Sequence, residues 1–140
     1  LSLDETIFLT GFPGFIAGRL VERLAREGAR FLLLVQPAFL ERARLDTARI
    51  ARETGTSLEN FRILEGDITQ EDLGLSAQEL ERARLETTIV FHLAAIYDLA
   101  VAREVALRVN VEGTRHVNRF AQAVASLRRY HYVSTCYVAG

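Results

Sequence analysis

The sequence predicts an α/β fold, a doubly wound parallel sheet of about five strands with helices on both faces, and three observations carry that reading. Short continuous apolar runs alternate with stretches of helical apolar period five times. A glycine-rich turn, Thr10-Gly11-Phe12-Pro13-Gly14-Phe15-Ile16-Ala17-Gly18, joins the first apolar run to the first helical stretch. Small or polar residues stand at the exits of the later runs: Gln36, Asp67, His92 to Ala95, and Ser134 with Thr135. In a parallel sheet with right-handed βαβ crossovers these exits share one edge, where ligands collect.

Ile7-Phe8-Leu9 reads as the first buried strand. The following helix has Ile16, Leu20 and Leu24 as its apolar stripe with Ala17 and Val21 beside them, and Gly28 as its stop. Phe31 to Val35, closed by Pro37, is the second strand, and Phe39 to Glu53 an arginine- and glutamate-rich surface helix ended by Gly55. Arg62 to Glu65 forms the third strand, with Gly66-Asp67 as its exit turn. Leu75 to Arg84 is a helix in which Ser76 and Glu79 form a capping box. Thr88 to Leu93 is the fourth strand, Ala100 to Ser126 a helical stretch patterned by Val105, Val109, Val117, Ala121 and Val124, and Tyr130 to Ser134 the fifth strand.

Composition narrows the class of function. With 140 residues, 49% of them hydrophobic, residues 1–140 suit a single domain with a real core. A net charge of −1, with the arginines spread among Glu and Asp, gives no reason to expect nucleic acid as a partner. Cys136 is the single cysteine, without metal-ligand spacing to another Cys or His, so no metal site is expected and a reducing, cytoplasmic home is. No run approaches the ~20 apolar residues of a membrane span, and no export signal opens the chain. Lysine is absent, all 17 basic residues being arginine, so no Schiff base or lysine-assisted proton relay can form. Methionine is absent too, position 1 included, so Leu1 is expected to be a trimmed start.

The turn after the first strand has the layout that a dinucleotide's pyrophosphate needs. Glycines let the backbone approach phosphate oxygens, and the free N–H groups and dipole of the helix start favour an anion. Four segments then resemble the extended short-chain dehydrogenase/reductases over essentially the whole chain: Thr10-Gly11-x-x-Gly14-x-x-Ala17, Gly66-Asp67-Ile68, His92-Leu93-Ala94-Ala95 and Asn110-Val111-x-Gly113-Thr114, followed by Val133-Ser134-Thr135. Leu64-Glu65-Gly66-Asp67-Ile68-Thr69, leading to Leu73-Gly74-Leu75-Ser76, looks like the fatty acyl and thioester reductases of the male-sterility type. The resemblance implies a Rossmann domain in which Thr10, Gly11, Gly14 and the amides of Phe15 and Ile16 hold the pyrophosphate, and Asp67 and Ile68 meet the adenine. It further implies Ala94 and Ala95 along the ribose and phosphate, Asn110 as a supporting residue, and Thr135 as the catalytic hydroxyl that polarises a substrate carbonyl. Read without the resemblance, Asp67 is a strand-end cap and Asn110 a helix-surface amide. His92, a lone histidine ending an apolar strand, reads as a satisfied hydrogen-bonding group with no proton-transfer role.

Two departures from the family pattern matter. Its Tyr-x-x-x-Lys proton-donor pair has no counterpart here, since none of Tyr97, Tyr130 or Tyr132 has a lysine four residues on, and for Tyr137 that position lies beyond residue 140. The sheet is therefore expected to be truncated after its fifth strand, without the catalytic helix and substrate region, and the chain to be inactive alone. A NAD-selective unit also carries an acidic residue at the end of the second strand, roughly 20 residues past the turn. This exit is Val35-Gln36-Pro37, with Arg42 and Arg44 downstream, so NADP is favoured over NAD unless those arginines occupy a solvated helix face.

The leading expectation is the NADP(H)-binding portion of a reductase acting on an acyl thioester or related carbonyl, small or held on an acyl carrier. A NAD-dependent sugar-nucleotide epimerase or dehydratase half-domain, and a non-catalytic NADP sensor or scaffold, are the alternatives. Apolar surface on the Val105–Val124 helix predicts self-association into a homo-oligomer.

Overall fold

Continuous apolar runs along the first strands, with successive side chains pointing to opposite faces, dictate a sheet covered on both faces. In the computed structural model, which describes residues 4–98 and 100–135, five strands lie parallel in the order β3-β2-β1-β4-β5. These are β1 (Thr6–Thr10), β2 (Arg30–Val35), β3 (Phe61–Glu65), β4 (Ile89–His92) and β5 (Arg129–Tyr132). Between them run α1 (Phe15–Ala25), α2 (Leu40–Thr54) after a 3₁₀ turn at Pro37–Phe39, and α3 (Ala77–Glu86) after another at Glu71–Gly74. The last crossover is one continuous helical segment: α4 (Arg103–Leu107), a π-helical turn (Arg108–Gly113) and α5 (Thr114–Gln122). Strand order reverses between β1 and β4, and a doubly wound sheet opens its ligand crevice at such a point.

Odd and even strand residues divide the core. Ile7, Leu9, Phe31, Leu33 and Val35 pack with α1 and α2, while Phe8, Leu32, Leu34 and Val90 pack with α3 and α5. Phe8 meets Phe120 at 4.2 Å between ring centroids, and Phe31 stacks on its register partner Phe61 at 5.3 Å. Each such fully buried side chain contributes about 1.5–3 kcal/mol.

Several boundaries correct the sequence reading. In α1 the residues facing the sheet are Ala17, Val21 and Ala25, whereas Ile16 is 64% exposed and Leu20 and Leu24 are only partly buried. Small side chains let the helix lie close on the strands, which turns the expected stripe toward its alanine side. The long helical stretch is confined to Arg103–Gln122, and Val105 is exposed while Val117, Ala121 and Val124 are buried. The capping box forms as expected, Ser76 Oγ accepting the Glu79 N–H while the Glu79 carboxylate accepts the Ser76 N–H. Gly55 closes α2 in the left-handed conformation at φ 70°. Cys136 and Tyr137 lie outside the described residues.

Candidate functional site

The β1–α1 turn forms the floor of a cleft of about 470 Å³ at the carboxyl edge of the sheet, within the range of small-molecule sites. Gly11 takes φ +97°, and a Cβ on it would stand 2.9 Å from the backbone of Leu93 and Ala94. At Gly14 a Cβ would stand 2.6 Å from the Gly11 carbonyl oxygen, which accepts the Gly14 N–H at 2.8 Å. Both glycines are therefore required by the turn. The first helical bond runs from Gly18 N–H to Gly14 O, so the amides of Phe15 and Ile16 have no partner within α1. Their side chains are exposed, and an anion at this helix start meets backbone N–H groups and the positive end of the dipole.

Thr10 ties this floor to β4. Its Oγ1 accepts the Leu93 and Ala94 N–H groups, each at 3.2 Å, and lies 2.7 Å from His92 Nδ1. With both lone pairs occupied, the hydroxyl hydrogen goes to Nδ1, which leaves Nε2 to donate to Thr114 Oγ1 at 2.9 Å. His92 is buried, and desolvation pushes its pKa down to about 4. It is a neutral, fully bonded structural group, as the sequence suggested.

Other exits complete the walls. Gln36, Asp67 and Ile68 line the cleft on the β2–β3 side, and Ala94 and Ala95 on the β4 side. Gln36 Nε2 donates to Asp67 Oδ2 at 3.2 Å, and Asp67 Oδ1 accepts the Thr69 N–H at 2.8 Å, so Asp67 does cap its strand end while facing the cleft. Gly66 leaves no room for a side chain: a Cβ would stand 2.4 Å from the Leu73 carbonyl oxygen, which itself accepts the Asp67 N–H at 2.8 Å. That carbonyl belongs to a turn in which Asp72, Leu73 and Gly74 all have positive φ, at 52°, 60° and 67°. Such a conformation costs about 1–2 kcal/mol for each non-glycine residue, and the buried Leu73 side chain helps to offset it.

The two arginines part company. Arg42 lines the cleft, whereas Arg44 is absent from its lining and lies 3.8 Å from the exposed Glu41. Asn110 also stays out of the lining, but it is no helix-surface amide: its Oδ1 accepts the Ile96 N–H and its Nδ2 donates to the Ile96 carbonyl, both at 2.8 Å. This clasp fixes the segment that carries Ile96 and Tyr97 into the wall. Thr135 follows β5 toward the same edge but is not among the residues lining the cleft. Phe39, Ile96, Tyr97 and Val109 also line it, and none of them was expected in the site from sequence. Ile96 and Tyr97 directly follow Ala94-Ala95, a position that could have flagged them, whereas Phe39 enters through the 3₁₀ turn that precedes α2. Among the described residues, no helix is long and apolar enough to cross a membrane.

The chain is similar to known proteins in sequence and in fold. An NAD-binding family described as male sterility protein matches residues 9–140. The fatty acyl-CoA reductase wat of Drosophila melanogaster is 28% identical over 145 residues, which cover 96% of this chain and 28% of that protein. An alcohol-forming fatty acyl-CoA reductase of Simmondsia chinensis is 30% identical over 156 residues, covering 98% of this chain and 32% of the relative. Among solved structures, the terminal R domain from the myxalamid PKS-NRPS biosynthetic pathway superposes with a TM-score of 0.76 at 29% identity, over 96% of this chain and 36% of that one. The chain thus spans about a third or less of the length of these proteins.

Proposed function

The chain belongs to the male sterility protein family and is an NAD(P)-binding domain of the extended short-chain dehydrogenase/reductase type, and on that premise we propose that it is the NADP(H)-binding portion of an acyl-thioester reductase. The observation that carries the proposal is the cleft itself. One end rests on the Gly11–Gly14 turn and the α1 start, and the other is bounded by Gln36, Arg42, Asp67 and Ile68. That spacing suits a pyrophosphate at the turn with adenosine toward β2 and β3. The nicotinamide half then runs toward β4, along Ala94, Ala95 and Tyr97.

Support for NADP over NAD comes from the end of β2, where Gln36 stands instead of a carboxylate and Arg42 faces the same space. When bound, the reduced cofactor supplies a hydride. This chain's residues bind and orient it: the turn amides hold phosphate, the Thr10–Ala94 bond keeps the β4 exit against the turn, and the Asn110 clasp fixes Ile96 beside the nicotinamide half. Thr135 is the hydroxyl we assign to polarising the substrate carbonyl. The relatives' names, fatty acyl-CoA reductases, favour a thioester of a long acyl chain over a sugar nucleotide. Self-association through the exposed Val105, Leu107 and Val111 belongs to the same reading.

Isothermal titration of the chain with NADPH and NADH tests the assignment. Saturable binding of NADPH, tighter than that of NADH, is expected; no binding of either overturns it.

A further inference from the structure

The helical segment from Arg103 to Gln122 braces two walls of the cleft that arise from different strand exits. On the β4 side Asn110 clasps Ile96. On the β3 side Ile68 lies against the backbone of Gly113, where a Cβ would stand 2.7 Å from Ile68 Cδ1 and 2.8 Å from Cγ1. Three residues further on, His116 Nδ1 lies 2.7 Å from the Ile68 carbonyl oxygen. A carbonyl only accepts, so Nδ1 carries the hydrogen. The π-helical turn Arg108–Gly113, which contains both Asn110 and Gly113, sets the phase of these contacts. One extra residue in a turn rotates everything after it by about 100° relative to a regular helix.

Resting on the dinucleotide reading, we infer that His116 is a positioning residue for the adenine end of the site. Its hydrogen bond fixes the Ile68 backbone, and the bare backbone of Gly113 fixes where the Ile68 side chain can lie. Held at both points, Ile68 forms a rigid wall of the cleft. His116 itself is not among the residues lining that cleft, and its hydrogen bond reaches the cleft wall through Ile68. A flexible wall would have to be ordered each time adenine binds, and an ordered one spares that entropy. The two halves of the cofactor should therefore respond differently to loss of this bond.

The test titrates the full chain with 2′,5′-ADP, representing the adenine half, and with nicotinamide mononucleotide, representing the other. His116→Leu removes the donor, whereas His116→Asn keeps one, because the asparagine Nδ2 takes the place of imidazole Nδ1. In His116→Leu the affinity for 2′,5′-ADP is expected to fall about five- to tenfold. Binding of the mononucleotide should be unchanged, and His116→Asn should bind 2′,5′-ADP within about twofold of the unsubstituted chain. Native 2′,5′-ADP affinity in His116→Leu, equal weakening of both ligands, or no rescue by His116→Asn overturns the inference. Should circular dichroism show His116→Leu unfolded, His116→Gln replaces it, since its amide nitrogen lies at the Nε2 position and cannot make the bond; the same selective loss is then required. Failure of the unsubstituted chain to bind either NADP or 2′,5′-ADP is a separate outcome, which overturns the dinucleotide reading itself.

Discussion

Thr10 donates its only hydroxyl hydrogen to His92 Nδ1, at 2.7 Å, across the boundary where the strand order reverses. The same oxygen accepts the amides of Leu93 and Ala94, and the opposite ring nitrogen reaches Thr114. Residues from the edge of the glycine-rich β1–α1 turn, from β4 and from the last crossover helix thus meet at one neutral imidazole.

That imidazole makes stability depend on pH. Burial holds the folded-state pKa near 4, against 6.5 for the free side chain. Above about pH 6.5 His92 is neutral in both states and the network contributes in full. As pH falls toward 4, the unfolded chain takes up a proton that the folded chain refuses, and stability drops by about 2–3 kcal/mol. His92→Gln should flatten this dependence between pH 6.5 and 4.5. Urea midpoints at several pH values check it; an unaltered slope in the variant would remove His92 as the cause.

The glycine turn yields a sharper test. Gly14→Asp places a side chain against the Gly11 carbonyl and a negative charge where phosphate is to sit, so NADPH affinity should fall by at least about a hundredfold. Gly11→Ala must adopt φ +97° with its Cβ 2.9 Å from the Ala94 nitrogen, and should cost about 2–4 kcal/mol of stability. Calorimetry and chemical unfolding separate the two effects. Undiminished NADPH binding by Gly14→Asp would falsify the placement of the pyrophosphate.

Cofactor choice should reside in Arg42. A charge-assisted contact to the 2′-phosphate contributes about 1.5–3 kcal/mol, or roughly ten- to hundredfold in affinity. Arg42→Ala should erase the preference for NADP(H), Arg44→Ala should leave it intact, and Gln36→Asp should reverse it by repelling the phosphate. A preference that survives Arg42→Ala would return that side chain to its exposed position near Asp46.

Bound cofactor is expected to remain unspent. The 140-residue chain contains no lysine and hence no Tyr-x-x-x-Lys, so NADPH consumption with long-chain acyl-CoA should equal the protein-free rate. Consumption proportional to protein concentration and lost in Thr135→Ala would show that another group supplies the proton.

Much of this was legible in the residues because strand and helix periods differ and because a phosphate turn needs glycine at fixed spacing. The runs at Ile7–Leu9 and Phe31–Val35, the Ser76–Glu79 capping box and the Gly55 stop all fall within the expected elements. What escaped depended on phase and distance. Ile16 and Ala17 are neighbours about 100° apart on the helix, and hydropathy favours isoleucine although close packing on the sheet favours alanine. Arg42 and Arg44 are about 200° apart, so only one faces the cleft, but composition cannot tell which. The π-helical turn leaves no periodic trace, yet it sets the phase of the Asn110 clasp and the Ile68 wall.

The left-handed turn at Asp72–Gly74 separates a residue's importance for binding from its distance to a ligand. Leu73 presents its carbonyl to the Asp67 amide, and a Cβ on Gly74 would stand 3.3 Å from that same nitrogen. In a selection for cofactor binding, Gly74 should therefore score beside Gly11 and Gly14, although it is absent from the cleft lining. A map of tolerated substitutions would draw a larger footprint than the cofactor casts.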